Sequence, residues 1–137
     1  MVNPKHISLV LAFLFALSAG LIAQDGKAYA GVWEGRFKDS VFCVLKIEAG
    51  GKITGTLSAG NIKMNDEGEL VEAEGSEKDF PILNPKLYED RLTFDWKDEG
   101  DDTAVKFEMK LTGTGKAGLR LIFDGFRNFK PWLLTRK

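Results

Sequence analysis

The sequence predicts an all-β protein: an antiparallel, up-and-down, eight-stranded β-barrel preceded by an N-terminal signal helix. Three observations lead to this prediction. From residue 31 onward apolar and polar residues alternate with period two, glycine-rich turn signals interrupt the alternation at short intervals, and no stretch there has helical periodicity. The chain of 137 residues suits a single domain, because about 100 to 200 residues is the usual domain size.

The composition excludes several classes of function. Hydrophobic residues make up 44 % of the chain and charged residues 28 %, which is too apolar for a disordered protein. The formal net charge of −1 gives no electrostatic reason to expect nucleic-acid binding. His6 is the only histidine and Cys43 the only cysteine, which excludes an intramolecular disulfide and metal sites that need two His or two Cys ligands. We therefore expect no metal and no cofactor.

The first 23 residues have the layout of a secretory signal. Lys5 and His6 precede an uncharged apolar stretch, residues 7–23, that ends in small residues. We expect cleavage after Ala23, with Ala30 as the alternative, and a mature protein in the periplasm or outside the cell. The stretch is at the short limit for crossing a bilayer core of about 30 Å, so a stable membrane anchor is the less favoured interpretation.

The predicted domain organisation is therefore a signal peptide over 1–23, a flexible N-terminal segment over 24–30 and a barrel domain over 31–137. Cleavage removes His6, so no histidine remains for a catalytic triad or a histidine general base. We expect no catalytic residues and no enzymatic activity, because the acidic residues lie on outward strand faces and loop tips rather than around a shared pocket.

The first three strands are predicted over Gly31–Phe37, 41–48 and 52–59, where the alternation is clean. Gly50 and Gly51 between the last two suit the positive φ of a tight hairpin turn. The residues predicted to face inward are Trp33, Gly35, Phe37, Val41, Cys43, Leu45, Ile47, Ile53, Gly55, Leu57 and Ala59.

The middle of the chain is less regular, and it is followed by well-marked strands. Short strands are expected over 61–64, Leu70–Ala73 and 80–83, and longer ones over 91–97 and 104–112. In the last of these, three charged residues alternate with apolar ones, which fixes the register because a one-residue slip would bury the charges. Those charged residues are Lys106, Glu108 and Lys110. The inward positions that follow are Leu119, Leu121, Phe123, Trp132 and Leu134.

Eight or nine strands, each with one apolar face and with no helix to cover it, predict a sheet that covers itself by closing into a barrel. Consecutive hairpins without a long crossover favour the barrel over the alternative, a two-sheet sandwich. We expect the barrel to be monomeric.

Three short motifs resemble the calycin superfamily, which includes lipocalins, fatty-acid-binding proteins and avidins. Gly31-x-Trp33 resembles the opening signature of that superfamily. Residues 51–56, Gly-Lys-Ile-Thr-Gly-Thr, are similar to the second hairpin of avidin-like barrels, and residues 132–135, Trp-Leu-Leu-Thr, to a late avidin-like strand. The resemblance implies a calycin-like barrel with a binding function.

A closer resemblance is to small exported bacterial barrel domains of unassigned function, over residues 33–37, 45–57 and a closing strand that ends in Arg136. Biotin binding is not implied, since the positions that hold the biotin head in avidins carry side chains here that cannot hydrogen-bond it. These residues are Gly35, Leu57 and Ala59.

The predicted interior suggests two alternatives. The first is a cup for a small hydrophobic ligand, walled by apolar side chains. Its predicted ligand-binding residues are Trp33, Leu57, Phe94, Trp96, Phe107 and Met109. The second alternative is a core packed to normal density, because an eight-stranded barrel can be filled by its own side chains.

The segment 123–132 is the best predicted site for a protein partner, for instance an envelope protein, because it mixes aromatic residues with Arg and Lys, as binding hot spots do. The predicted partner-binding residues are Phe126, Arg127, Phe129 and Trp132. The alternative for Phe126 and Phe129 is a plug over one barrel mouth. We also expect an inert core thiol at Cys43 and a solvated acidic hairpin tip over 98–102.

Overall fold

The computed structural model describes residues 26–123 and 129–137, a part of the chain built from β-strands joined by turns and loops. The strands are β1 Gly31–Phe37, β2 Ser40–Ala49, β3 Ile53–Ala59, β4 Ile62–Met64, β5 Leu70–Ala73, β6 Phe80–Pro81, β7 Leu83–Leu87, β8 Leu92–Trp96, β9 Val105–Gly113, β10 Lys116–Ile122 and β11 Trp132–Arg136. Their pairings are antiparallel, which confirms the predicted fold class. The predicted signal helix lies outside the described residues.

Nine of these strands form one sheet that nearly closes into a barrel, in the order β6-β3-β2-β1-β11-β10-β9-β8-β7. The strands at the two ends of this order, β6 and β7, are separated in the chain only by Ile82. The N–H of Ile82 donates a hydrogen bond of 3.0 Å to the carbonyl oxygen of Gly55 in β3. Since β6 pairs with β3 and β7 with β8, the two short strands together fill one position in the wall. Counted in this way, the wall has the predicted up-and-down order of eight strands.

The strands β4 and β5 do not belong to this wall. They form a separate two-stranded sheet, here called the lid hairpin (residues 61–74), inserted between β3 and β6. Ile62, Leu70 and Ala73 of the lid hairpin pack against the barrel core. The hairpin therefore lies at the upper end of the barrel, where β3 ends and β6 begins. In the described part of the chain no helix has the length and apolar character needed to span a bilayer.

The predicted strand 80–83 includes only the first residue of β7. The rest of β7 contains Pro85, and Asn84 has a positive φ of 50°. Proline cannot donate to a ladder and is tolerated where the pairing is irregular. The pairing between β7 and β8 does shift in register between Leu83 and Lys86, which accommodates the proline.

A β-bulge in β2 changes one predicted inward position. Gly35 pairs with Cys43 and Arg36 pairs with Val41, so Phe42 is an extra residue on β2. Phe42 is 1 % exposed, whereas Val41, which alternation predicts to face inward, is only half-buried. A bulge adds one residue to the strand and reverses the alternation beyond it.

The barrel interior is filled by aromatic and aliphatic side chains in mutual contact. Phe107 is central among the aromatic rings, with centroids 5.6 Å from Phe94, 6.3 Å from Trp96 and 5.5 Å from Trp132. The ring of Trp132 in turn lies 5.3 Å from that of Phe42. On the outer wall Lys106 and Lys110 are exposed and Glu108 is half-buried among cations, so the predicted register of β9 is confirmed.

Residues 26–30 cover the lower end of the barrel, at which the β2–β3 turn lies. They begin with a short helical turn, and Tyr29 is buried. The indole N–H of Trp33 donates a hydrogen bond of 2.9 Å to the Tyr29 carbonyl oxygen. The guanidinium of Arg136 lies 4.5 Å from the Trp33 ring centroid and donates to the carbonyl oxygen of Ala28. The first and last barrel strands are thus joined through this turn.

Candidate functional site

The structure places the six predicted ligand-binding residues inside the barrel. Their exposure ranges from 0 % to 8 %. Phe94, Trp96 and Phe107 lie together in ring contact, and the indole N–H of Trp96 donates a hydrogen bond of 2.9 Å to the carbonyl oxygen of Leu57. Trp33 lies toward the lower end, beneath residues 26–30. None of the six lines the surface clefts described below.

Cys43 also lies in this interior, beside Gly35. Burial raises the pKa of the Cys43 thiol to about 12, against a smaller opposing effect of a hydrogen bond from the Gly35 backbone. The thiolate is the nucleophilic form of cysteine, so this group is protonated and unreactive at neutral pH.

The four predicted partner-binding residues do not form one described surface. Phe126 and Arg127 lie outside the described residues. Trp132 is 5 % exposed, and its ring packs between those of Phe42 and Phe107 in the core. Phe129 is half-buried and lines a cleft on the outer wall.

This outer cleft lies on the outer face of β9 and β10, beside the tip of the lid hairpin. Its volume is about 650 Å³, within the range of ligand-binding sites. The tip of the lid hairpin, the outer faces of β9 and β10, and the segment 129–131 form its walls. The lining residues are Asp66, Glu67, Glu108, Lys110, Thr112, Gly118, Arg120, Phe129, Lys130 and Pro131.

Two contacts fasten the lid hairpin to the segment 129–131. The backbone N–H of Lys130 donates to the carbonyl oxygen of Gly68 at 3.0 Å, and its ammonium lies 3.3 Å from the Glu69 carboxylate. Asn65 holds the hairpin tip, because its side-chain oxygen accepts from the N–H groups of Glu67 and Glu69. A hydrogen bond with the Glu67 side chain, followed by the contacts with Lys130, lowers the pKa of Glu69. Two segments that are bonded to each other, the lid hairpin and the segment 129–131, therefore bound the cleft.

The floor of the outer cleft carries a charged cluster centred on Glu108. The side chain of Glu108 is 12 % exposed, and its carboxylate lies 3.1 Å from Arg120, 3.6 Å from Arg91 and 3.9 Å from Lys110. At the rim, Asp66 is exposed and has no ion pair with another described residue. The cluster is suited to polar recognition, and within the described residues no group of three or more His, Cys, Asp or Glu side chains is placed to hold a metal ion.

Sequence reasoning did not find most of this cleft. The alternation does place Glu108, Lys110 and Arg120 on the outer face, but it gives no sign that the turn at Asp66 and Glu67 reaches them. The only sequence signal was the aromatic and basic character of the segment 123–132, to which Phe129 and Lys130 belong.

A second cleft, here called the lower cleft, lies at the other end of the barrel and has a volume of about 660 Å³. It shares no residue with the outer cleft. Its lining residues are Gly26, Lys27, Ala49, Gly51, Lys52, Ile53, Pro85 and Leu87.

Comparison of the chain with protein-family models, curated proteins and solved structures found no match. The described part of the chain is an all-strand antiparallel barrel that is nearly closed, a class of fold that does not by itself determine a function.

Proposed function

We propose that this protein is an exported, non-enzymatic binding module that holds a segment of a protein partner in the outer cleft. One observation carries the proposal: the lid hairpin and the segment 129–131 are tied together by the Lys130 contacts, and they enclose a preformed cleft on the outside of a packed barrel. Preformed sites avoid the cost of ordering loops when a partner binds.

The packing of the interior supports a surface site over an internal one. A hydrophobic ligand among Phe94, Trp96 and Phe107 would have to displace rings that already contact one another. Protein cores are packed as densely as organic crystals, and enlarging their contents strains side chains and backbone. The calycin-like resemblance is compatible with the barrel, and it supports a binding protein more than a particular ligand.

The chemistry of the outer cleft indicates the kind of partner segment. Phe129 offers an apolar surface, and Asp66 offers a carboxylate at the rim that pairs with no described cation. On the floor of the cleft, the carboxylate of Glu108 is already paired with neighbouring guanidinium and ammonium groups. A partner segment with a Lys or Arg next to an apolar side chain fits this arrangement. Because the sequence predicts a signal peptide, we expect that partner in the cell envelope or outside the cell.

The test is quantitative capture from an envelope extract of the source cell, with the exported chain as bait. We expect a partner that is retained by the wild-type chain and by Asp102→Lys, but lost with Asp66→Lys. Both aspartates are exposed, so neither reversal should alter the melting temperature, and Asp102 lies in a loop that does not line the cleft. Equal capture by both variants would refute the proposal.

A second variant pair tests the aromatic part of the site. The double substitution Phe126→Ala and Phe129→Ala should reduce capture, whereas Leu83→Ala, at an exposed apolar residue on β7, should not. A large fall in melting temperature for the double variant would instead favour a plug role for these phenylalanines.

The carrier hypothesis, in which a hydrophobic ligand lies inside the barrel, has its own test. It predicts a saturable change of Trp fluorescence when lipids or retinoids are added to the exported chain. From the packed interior we expect no ligand of a chemically varied panel to change the emission of the buried Trp96 and Trp132, even where a ligand binds in a surface cleft.

A further inference from the structure

We propose that the lower cleft binds a single-chain amphiphile with an anionic carboxylate head, such as a medium-chain fatty acid. Three parts of the chain form the walls of this cleft: the segment 26–27, the turn that joins β2 to β3, and the end of β7. It is separate from both the barrel interior and the outer cleft, so this proposal does not depend on the proposed function.

The floor of the lower cleft is apolar. Ala49, Ile53, Pro85 and Leu87 line it, and Leu87 remains 37 % exposed although its side chain is fully hydrophobic. Apolar surface of this kind gains free energy when it is covered, in proportion to its area. The floor therefore suits an alkyl chain.

Gly26 keeps this floor accessible. A Cβ atom added to Gly26 would lie 3.9 Å from the Cδ2 atom of Leu87 and 4.0 Å from the Cβ atom of Ala49, which is ordinary van der Waals contact. Because glycine has no side chain, the space between Gly26 and these two residues stays open. A larger residue at position 26 would occupy it without straining the backbone.

The charges around the lower cleft select the head group. Lys27 and Lys52 are exposed lining residues, and neither makes an ion pair with another described residue. No lining residue is acidic, although the chain as a whole has a formal net charge of −1. Two unpaired ammonium groups beside an apolar floor favour an anion with an apolar tail over a neutral lipid or a cation.

The experiment is isothermal titration of the exported chain, its N-terminus identified by mass spectrometry, with octanoate, decanoate and decanol below their micelle concentrations. We expect decanoate to bind more tightly than octanoate, by up to about fourfold for each added methylene. Decanol should bind more weakly than decanoate, because it lacks the charge.

Two variants connect this binding to the lower cleft. The double reversal Lys27→Glu and Lys52→Glu should weaken decanoate binding by about tenfold, as expected for two exposed ion pairs, and leave decanol binding nearly unchanged. Gly26→Leu should abolish the binding of both ligands by filling the cleft while keeping the charges. The matched controls are Lys97→Glu, at an exposed lysine outside the cleft, and Gly113→Leu, at a glycine whose Cβ would meet open space.

Several results would overturn the proposal: no saturable heat with decanoate at millimolar concentration, equal affinity for decanol and decanoate, or unchanged binding in Gly26→Leu. Amide NMR shifts of Gly26 and Gly51 provide a second readout of the same site. If neither shift responds to decanoate, the amphiphile does not occupy the lower cleft and the proposal fails.

Discussion

At the level of single residues, Gly35 marks a point of close packing between side chains in the barrel interior. A Cβ atom there would lie 2.7 Å from the Cys43 sulfur, 3.0 Å from Leu134 and 3.2 Å from Phe42. The bulge in β2 brings Phe42 and Cys43 to the same inner surface, and only glycine at position 35 leaves space for both. The Cys43 thiol is consequently buried, and its pKa differs between the folded and the unfolded chain.

We expect the free energy of unfolding to fall at alkaline pH because of Cys43. Burial raises the pKa of the folded thiol from 9.0 to about 12, so its stabilising contribution is complete below pH 9 and is lost between pH 9 and about 12. In this window the unfolded chain releases a proton that the folded chain retains, which lowers the free energy of unfolding by about 1.4 kcal/mol per pH unit.

Urea denaturation at a series of pH values, compared between the wild-type chain and Cys43→Ala, measures this effect. The two free-energy curves should run in parallel below pH 9 and converge or cross above it, because other titrating groups are common to both proteins. Parallel curves throughout the alkaline range would show that burial does not raise the pKa of the Cys43 thiol in the folded protein.

At the level of elements, the lid hairpin is held less firmly than the barrel wall. It is a two-stranded sheet, and its apolar residues Ile62, Leu70 and Ala73 are only half-buried. Two-stranded hairpins are marginally stable by themselves, so this one depends on its contacts with the core and with Lys130. This dependence makes the outer cleft sensitive to changes at either of its loops.

Hydrogen exchange should therefore separate the hairpin from the wall. We expect the amides of β4 and β5 to exchange faster than those of β2 and β3, since elements with few buried apolar contacts open locally. Lys130→Met, which removes the ion pair with Glu69, should speed exchange in the hairpin and leave β2 unchanged. Equal protection in both sheets would mean that the hairpin and the wall open as one unit.

At the level of the whole molecule, closure of the barrel depends on a short and interrupted seam. Among the described strands, β6 and β7 fill the gap between β3 and β8, and each makes few pairings. The Trp96 indole spans this seam from the inside, because it belongs to β8 and donates its hydrogen bond to Leu57 in β3. The Phe80 ring of β6 lies 6.3 Å from that of Trp96 and adds a packing contact.

Trp96→Phe should accordingly destabilise the protein more than Trp132→Phe. Both substitutions remove part of a buried indole, but the first also leaves the Leu57 carbonyl oxygen without its partner, which costs about 1 to 3 kcal/mol. Urea denaturation of the two variants checks the difference. If the variants were equally stable, the hydrogen bond across the seam would contribute little to barrel closure.

The sequence alone determined the strands whose side chains alternate cleanly. Gly31–Phe37 has the predicted bounds, and the ends of β2, β3 and β9 differ by at most one residue from the prediction. Leu70–Ala73 also has its predicted bounds, although it lies in the less regular middle of the chain. Alternation is a local property, and it reports directly which face of a strand is buried. It also identified the six interior residues that the structure places in the core.

Tertiary structure decided the features that the alternation of apolar and polar residues does not predict. The bulge at Phe42, the separation of the lid hairpin from the wall, and the register shift around Pro85 each depend on a partner strand distant in the chain. Both clefts arise in the same way, because Asp66 and Arg120, and likewise Gly26 and Leu87, come to line the same cleft only after the barrel has closed. Local patterning fixes which side chains are buried, whereas the juxtaposition of surface groups is a property of the closed chain.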